Sequence, residues 1–188
     1  SAHAFRLFHH GQILRRYDFE AAIDGFAEAQ RRVPELVLDI YGDGEAGYIE
    51  ELRERARNLG LNGSVRFHDR VPVERIPALI EQAHIGIVPC RRDPFVDKVM
   101  LPVRLLEYVV MGLPAIVSRV GTVESYFGDE DVAYYEPHDA HALADQIVTL
   151  HDDGERRARM AVSARRAFAA CDWSRSRDCY LRTIESLA

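Results

Sequence analysis

Lysine is almost missing from this chain: Lys98 is the only one, although lysine and arginine together number 24. The positive charge is therefore nearly all guanidinium, a planar fork of donors suited to phosphate or carboxylate. Most of these arginines fall on expected helix faces, where solvation is the plain reading. They are outnumbered by 30 acidic residues, for a formal net charge of -6, which argues against non-specific nucleic-acid binding because that needs a basic face. Cysteine is scarce as well. Cys90, Cys171 and Cys179 form an odd, scattered set without CxxC spacing, a pattern that points to a reducing compartment and away from a structural metal. No apolar run approaches the roughly 20 residues of a membrane helix. Residues Ser1 to Ala4 lack a signal-peptide pattern and run almost at once into a strand. Either a piece trimmed from a longer parent or a small independent domain would begin this way. Repeats, low-complexity segments and interior linkers are lacking too.

What is present is an alternation. The 188 residues suit one domain, and 47% hydrophobic content is enough to bury a core. Short β-branched or aromatic runs predict strands at Phe5 to His9, Leu36 to Tyr41, Val65 to His68, Ile85 to Pro89, Pro114 to Ser118 and Val132 to Tyr135. Helical patterns fall between them, at Phe19 to Arg32, Ala46 to Leu59, Glu74 to Gln82, Pro102 to Met111 and near Val123 to Phe127. In the first, Phe19, Ala22, Ile23, Phe26, Ala29 and Val33 make one apolar stripe. From Ala140 to about Leu187 the pattern is wholly helical, in three pieces. Gly154 separates the first two, Cys171-Asp172 precedes the third, and Asp172 or Ser174 could cap it. Alternating elements with short connections require parallel strands and right-handed crossovers. The expected fold is α/β: a doubly wound, Rossmann-like parallel sheet of six strands, helices on both faces and a helical C-terminal tail.

Ligands of open parallel sheets bind beyond the carboxyl ends of the strands. Here the loops at those ends hold a large share of the Gly and Pro and several paired arginines, whereas Pro34-Glu35 and Asn62-Gly63 at the opposite ends read as plain turns. Gly42-Asp43-Gly44-Glu45-Ala46-Gly47 matches the dinucleotide pattern GxGxxG, and Asp69 could grip a ribose. Yet it follows the second strand, whereas dinucleotide folds place it after the first. A phosphate-binding or simply tight turn is the other reading. In the first loop Gly11 allows close backbone approach, and Arg15 and Arg16 either reach phosphate or form a basic surface turn. His9 and His10 have no partner at metal-ligand spacing. The segment from Cys90 to Leu101 is too long for a simple connection. Pro102 suits the first turn of a helix whose free amides would favour an anion such as diphosphate. Glu107, among Leu105, Leu106, Val109 and Val110, is either partly buried and working or a solvated face residue.

At this point the residues resemble a known family. Leu101-Pro102-Val103-Arg104-Leu105-Leu106-Glu107-Tyr108, continuing to Gly112-Leu113-Pro114-Ala115-Ile116-Val117-Ser118, is similar to the LPxKLLEYxxxGxPVIxS signature of family 4 glycosyltransferases. Ile40 to Gly44 resembles their IxGxG segment, Val65 to Pro72 their VxFxGxVP segment, and Trp173-Ser174 the tryptophan before their closing helix. The resemblance covers essentially the whole chain in order. It implies the C-terminal, nucleotide-sugar-binding domain of a two-domain GT-B enzyme that transfers a hexosyl group with retention. Glu107 would hold the ribose hydroxyls, and the Leu101 to Val103 helix start the diphosphate. Val71 would meet the base through its backbone, with Arg70 beside it, and Gly11 and Gly42 would allow close approach. Gln12, Gly44, Asp97 and Leu106 complete the expected donor site.

Two departures stand out. Many members carry Arg after the first-loop glycine and Lys a few residues on, places that fall here on Gln12 and about Tyr17. Arg15 and Arg16 are the expected substitutes. Many also carry two glutamates with seven residues between them, and counting back from Glu107 reaches Val99. Asp93-Pro94-Phe95 looks like the displaced EPF element, so Asp93 joins Arg15 and Arg16 as an expected catalytic group, with Asp97 as competitor. The expected substrate is a UDP or GDP sugar, without metal or other cofactor. The acceptor, a glycan or lipid, would bind an N-terminal domain not in this chain. A cytoplasmic place is expected, with membrane association only for a full-length protein, at its inner face. The rival readings are an NAD(P)-binding oxidoreductase domain, a GT-B sugar-nucleotide epimerase or phosphorylase, and a non-catalytic receiver-like module.

Overall fold

The structure, a computed structural model, describes residues 4–169 and 173–187. Six parallel strands, β1 (Phe5–His10), β2 (Leu36–Tyr41), β3 (Val65–His68), β4 (Ile85–Val88), β5 (Ala115–Ser118) and β6 (Ala133–Tyr135), lie in the order β3-β2-β1-β4-β5-β6. The order reverses between β1 and β4. In the register, Phe5 to His10 pair with Leu36 to Tyr41, and Leu7 and Phe8 with Ile85 and Gly86. The two central strands thus end side by side, and the crevice of an open sheet belongs where their loops part.

Both faces are covered, which explains why the strands read as nearly continuous apolar runs. Successive side chains alternate between two cores: Leu7, Ile87 and Ile116 on one face, Phe8, Val88 and Val117 on the other. Helices α1 (Phe19–Arg32), α2 (Ala46–Asn58) and α7 (Ala140–Asp152) bury the first face through residues such as Phe26, Leu52 and Ile147. On the second lie α3 (Ile76–Ile80), α5 (Val103–Met111) and part of α8 (Gly154–Ala169), with Ile80, Tyr108 and Ala164 inward. The expected doubly wound sheet is therefore the observed one.

Some boundaries differ from the sequence reading. The expected helix Glu74 to Gln82 is a 3-10 turn, Val73–Arg75, followed by the short α3. Pro77 has no N–H to donate to the preceding turn, so it starts a helix rather than continuing one. The Cys90 to Leu101 loop contains helix α4 (Pro94–Lys98). Asp93 is its N-cap, its carboxylate accepting from Phe95 N and Val96 N at 2.8 and 2.9 Å. The short helix near Val123 is α6 (Gly121–Glu124). Pro102 stands just before α5 as its N-cap, and Gly112 ends that helix in the left-handed conformation, at φ 76°. Asp153 alone separates α7 from α8, and Gly154, which the sequence placed at the break, is the first residue of α8. Helix α9 (Trp173–Leu187) is present, with Ser174 within its first turn. Cys171 and Asp172 lie outside the described residues.

One buried carboxylate ties three of the rim loops together. Asp18, 1% exposed, accepts hydrogen bonds from His138 N at 2.7 Å and His138 Nδ1 at 3.0 Å, and stands 3.8 Å from Arg91. It thereby fixes His138 at φ 68°, a conformation that costs a residue with a Cβ. Replacing Asp18 with Ala removes the acceptor for both and leaves a strained turn. We expect about 3 kcal/mol of lost stability, a fall in Tm of roughly 6–12 °C. A calorimetric shift below about 2 °C would show that the loops are held by other contacts.

Candidate functional site

The first two loops at the rim are interleaved through their backbones. Gly11 N donates to Tyr41 O at 2.9 Å, Ile13 N donates to Asp43 O at 2.8 Å, and Gly42 N donates to His68 O at 3.2 Å. The packing is so close that a Cβ on Gly42 would stand 1.8 Å from Gly11 O, and one on Gly44 2.0 Å from Ile13 O. Two of the glycines of the GxGxxG pattern are thus accounted for by the chain's own carbonyls. Gly47, the third, faces nothing within 4 Å. Neither observation requires a dinucleotide.

Between these turns and α5 opens a cleft of about 260 Å³. His10, Gly11 and Gln12 form one wall, Tyr41, Gly42 and Asp43 a second, and Arg70, Val71, Val73 and Ile76 a third, with Glu107 facing them from α5. Apart from Ile76 and Glu107, which stand on α3 and α5, each comes from the carboxyl end of a strand or from the segment just beyond it. Tyr41 is held flat by His68, whose ring is stacked on it at 4.1 Å and 9°. His68 in turn meets Asp39 at 2.7 Å, and Asp39 binds Arg6 at 3.0 Å. The aromatic wall is therefore braced from behind by a buried carboxylate.

Glu107 has a side chain 37% exposed and projects from the middle of α5. Its Oε2 lies 3.2 Å from His10 Nε2. Partial burial raises its pKa above the ordinary value, and the charge of Arg104 opposes that rise. His10 is pushed the other way, down to about 4, by burial first and by Arg104 second. Near neutral pH its imidazole is uncharged, so the two groups approach without forming a full ion pair. Below the cleft, His9 is fully inside the sheet, and its pKa is held well below the usual value, chiefly by burial. Among the described residues, no group of three or more His, Cys, Asp or Glu side chains is placed to hold a metal ion.

The family description "Glycosyl transferases group 1" matches residues 4–167. The chain belongs to the group 1 glycosyltransferases. Among curated relatives, a D-inositol 3-phosphate glycosyltransferase of Corynebacterium glutamicum (strain R) is 31% identical over 113 residues, 60% of this chain and 26% of that protein. The chain spans 26% to 36% of the length of three such relatives. Among solved structures, Alr3699/HepE of Anabaena in complex with UDP and glucose superposes with a TM-score of 0.84 at 21% identity, covering 98% of this chain and 49% of that one. The C-terminal domain of the group 1 glycosyl transferase LpcC from Francisella tularensis gives 0.76 at 16% identity, over 88% of this chain and 85% of that one. At these identities the likeness is one of fold.

In this group 1 glycosyltransferase chain, the expected site residues divide by position. Gly11, Gln12, Gly42, Arg70, Val71 and Glu107 line the cleft together. Leu106 lines an adjoining apolar groove with Val73, Ile76, Pro77, Val110 and Met111. The others do not line the cleft. Gly44 packs under Ile13, and Arg15 makes a two-pronged pair with Glu51 of α2, at 2.6 and 2.8 Å. Arg16 lies over the ring of Phe95 at 5.4 Å. Asp93 is engaged as the cap of α4, while the Asp97 carboxylate accepts from Gly121 N at 3.0 Å and lies 3.6 Å from Arg92. Leu101, Pro102 and Val103 form the entry to α5 and are not among the residues lining the cleft. Sequence reasoning missed His10, Tyr41, Asp43, Val73 and Ile76 as lining groups. The signal for Tyr41 was available, since it closes the second expected strand, and His10 directly follows the first, which was expected to end at His9.

The low pKa of His10 makes stability depend on pH with a definite sign. In the unfolded chain the imidazole titrates near 6.5, in the fold near about 4. The unfolded state therefore takes up the proton first as pH falls. This contribution is undiminished above about 6.5 and is lost progressively toward about 4, by roughly 3 kcal/mol at the lower end. Denaturant titrations between these limits should show a shallower acid decline for His10→Asn than for the unaltered chain. Equal slopes would remove His10 from the account.

Proposed function

We propose that this chain is the nucleotide-sugar-binding, C-terminal half of a retaining glycosyltransferase, and that the acceptor, a glycan or lipid, binds an N-terminal domain outside it. The observation that carries the reading is the position of Glu107, on the wall of a cleft whose other walls are the Gly11 and Gly42 turns. A carboxylate there can accept hydrogen bonds from both hydroxyls of a ribose. Tyr41 offers an apolar face, and Val71, at the far wall, a backbone edge for a base. The Anabaena neighbour bound to UDP and glucose supports a nucleoside diphosphate as the ligand.

The chemistry follows from the charge that must be accommodated. The bond from the sugar's anomeric carbon to the diphosphate breaks, its electron pair leaves on the diphosphate, and a new bond forms to an acceptor hydroxyl that gives up its proton. Side-chain cations and backbone amides aimed at the departing oxygens stabilise that charge without metal, each such donor worth roughly 3 kcal/mol. Met100 and Leu101 lead into α5, and the free amides of that helix start are the donors this reading assigns to the diphosphate. A hexose from UDP or GDP is the donor this reading favours. No helix among the described residues is long and apolar enough to cross a membrane.

Thermal-shift titration with UDP and GDP, their sugars and the matching 2′-deoxy nucleotides tests the ribose contact. A ribose form should stabilise the unaltered chain more than its 2′-deoxy form does, and Glu107→Ala should erase that difference while weakening binding at least about tenfold. EDTA should leave the shifts unchanged. Preference for the ribose form that survives Glu107→Ala would reject the assignment. Mixed with any of these donors and a broad acceptor panel, the chain alone should transfer no sugar; turnover would overturn the division of labour between two domains.

A further inference from the structure

The most deeply placed cation at the rim is Arg104, in the first turn of α5 and only 9% exposed. Its Nη1 is 2.8 Å from His9 Nε2, and its guanidinium lies 4.5 Å over the ring of Tyr17. Its Nη2 lies so close under Gly11 that a Cβ there would come within 3.1 Å of it. Arginine can only donate, so His9 Nε2 accepts, and the proton of that ring sits on Nδ1, donated to Ile87 O at 3.0 Å. His9 is thereby a neutral partner: it satisfies one N–H of Arg104 and cancels none of its charge.

That situation is unusual for a buried guanidinium, which is normally matched by a carboxylate. Other rim arginines, although more exposed, do have a carboxylate partner. Arg15 has Glu51 at 2.6 Å, Arg91 has Glu20 at 2.9 Å, and Arg119 has Asp129 at 2.6 Å. Arg104 takes part in none of the ion pairs among the described residues; the acid nearest along its helix, Glu107, has His10 as its close neighbour instead. Arg16 also lacks a carboxylate, but it is exposed, where water serves as partner. The space behind the Gly11 turn therefore holds a positive charge with no carboxylate in ion-pair contact, screened from solvent by protein and separated from the cleft by one glycine.

We propose that Arg104 supplies the positive charge for the donor's diphosphate, acting from beneath the Gly11 turn. The ligand then provides the counter-charge that the chain omits. Gly11, with φ 111° and no side chain, is what lets the two charges come close. The inference rests on the donor-binding reading above and assigns to α5 the task that Arg15 and Arg16 of the first loop were expected to perform.

The test compares binding of UDP and GDP with that of uridine and guanosine, by calorimetry on the 188-residue chain. For the unaltered chain, one diphosphate should bind more tightly than its nucleoside. Arg104→Met should cut that preference at least about tenfold, leaving nucleoside affinity in place, and Arg104→Lys should restore part of it. Arg16→Met should keep the preference. An unchanged preference in Arg104→Met, an equal loss for diphosphate and nucleoside, or a loss confined to Arg16→Met would each overturn the proposal. Should Arg104→Met not fold, nitrogen-15 arginine spectra of the unaltered chain decide: the Arg104 Nε–H resonance, assigned with Arg104→Lys, should move with diphosphate and not with nucleoside, and a static resonance counts against it. If the unaltered chain responds to no diphosphate at all, the donor-binding reading fails first, and the role of Arg104 falls with it.

Discussion

Two backbones touching without side chains between them set the geometry of the whole rim. The carbonyls of Gly11 and Ile13 occupy the room left by the missing Cβ atoms of Gly42 and Gly44. With any other residue at those places the first loop would have to lift away from the second. Its lifting would carry off His10 and Gln12 on one wall and Tyr41 and Asp43 on the other, since each is one or two residues from the contact. The parallel register of β1 and β2, continued past the strands by the bridge between Ile13 and Gly44, makes the contact possible. A sheet-building interaction thus continues into the site and becomes its scaffold.

The electrostatics of the cleft are layered in the same way. Neutral histidines occupy the ends of β1, kept uncharged by burial and by the nearby guanidinium. Positive charge lies behind the glycine turn, in Arg104, and at the far wall, in Arg70. The acids that face the opening are Asp43, 3.7 Å from Arg70, and Glu107, partly desolvated. On the proposed reading, such an arrangement offers positive charge to a diphosphate and a carboxylate to the hydroxyls of its nucleoside.

Much of this was legible in the sequence, for reasons that can be named. Six apolar runs separated by helical periods leave no compact alternative to a parallel doubly wound sheet, and the rule about carboxyl ends then picks the loops. Glu107 was visible because an acid interrupts an apolar helix. What was hidden depends on distant partners. Arg15 reads as a phosphate ligand until Glu51, 36 residues on, is found against it. Asp93 and Asp97 read as sugar-facing acids, yet their carboxylates hold the backbone of α4 and α6. Arg104 was concealed by its position among apolar neighbours, since nothing local tells a guanidinium pointing inward from one in water. The helix expected over Glu74 to Gln82 ran through Pro77, which in the fold stands in the first turn of α3.

The sheet is bordered by short strands on both sides: β3 has four residues and β6 three. Each leaves only a few unpaired amides and carbonyls along its outer side, too short a template for another extended chain to add itself in register. Stacking of copies edge to edge is therefore disfavoured by construction, even though the interior strands are among the most apolar segments of the molecule. Neighbouring copies are left little edge to pair with where the sheet ends.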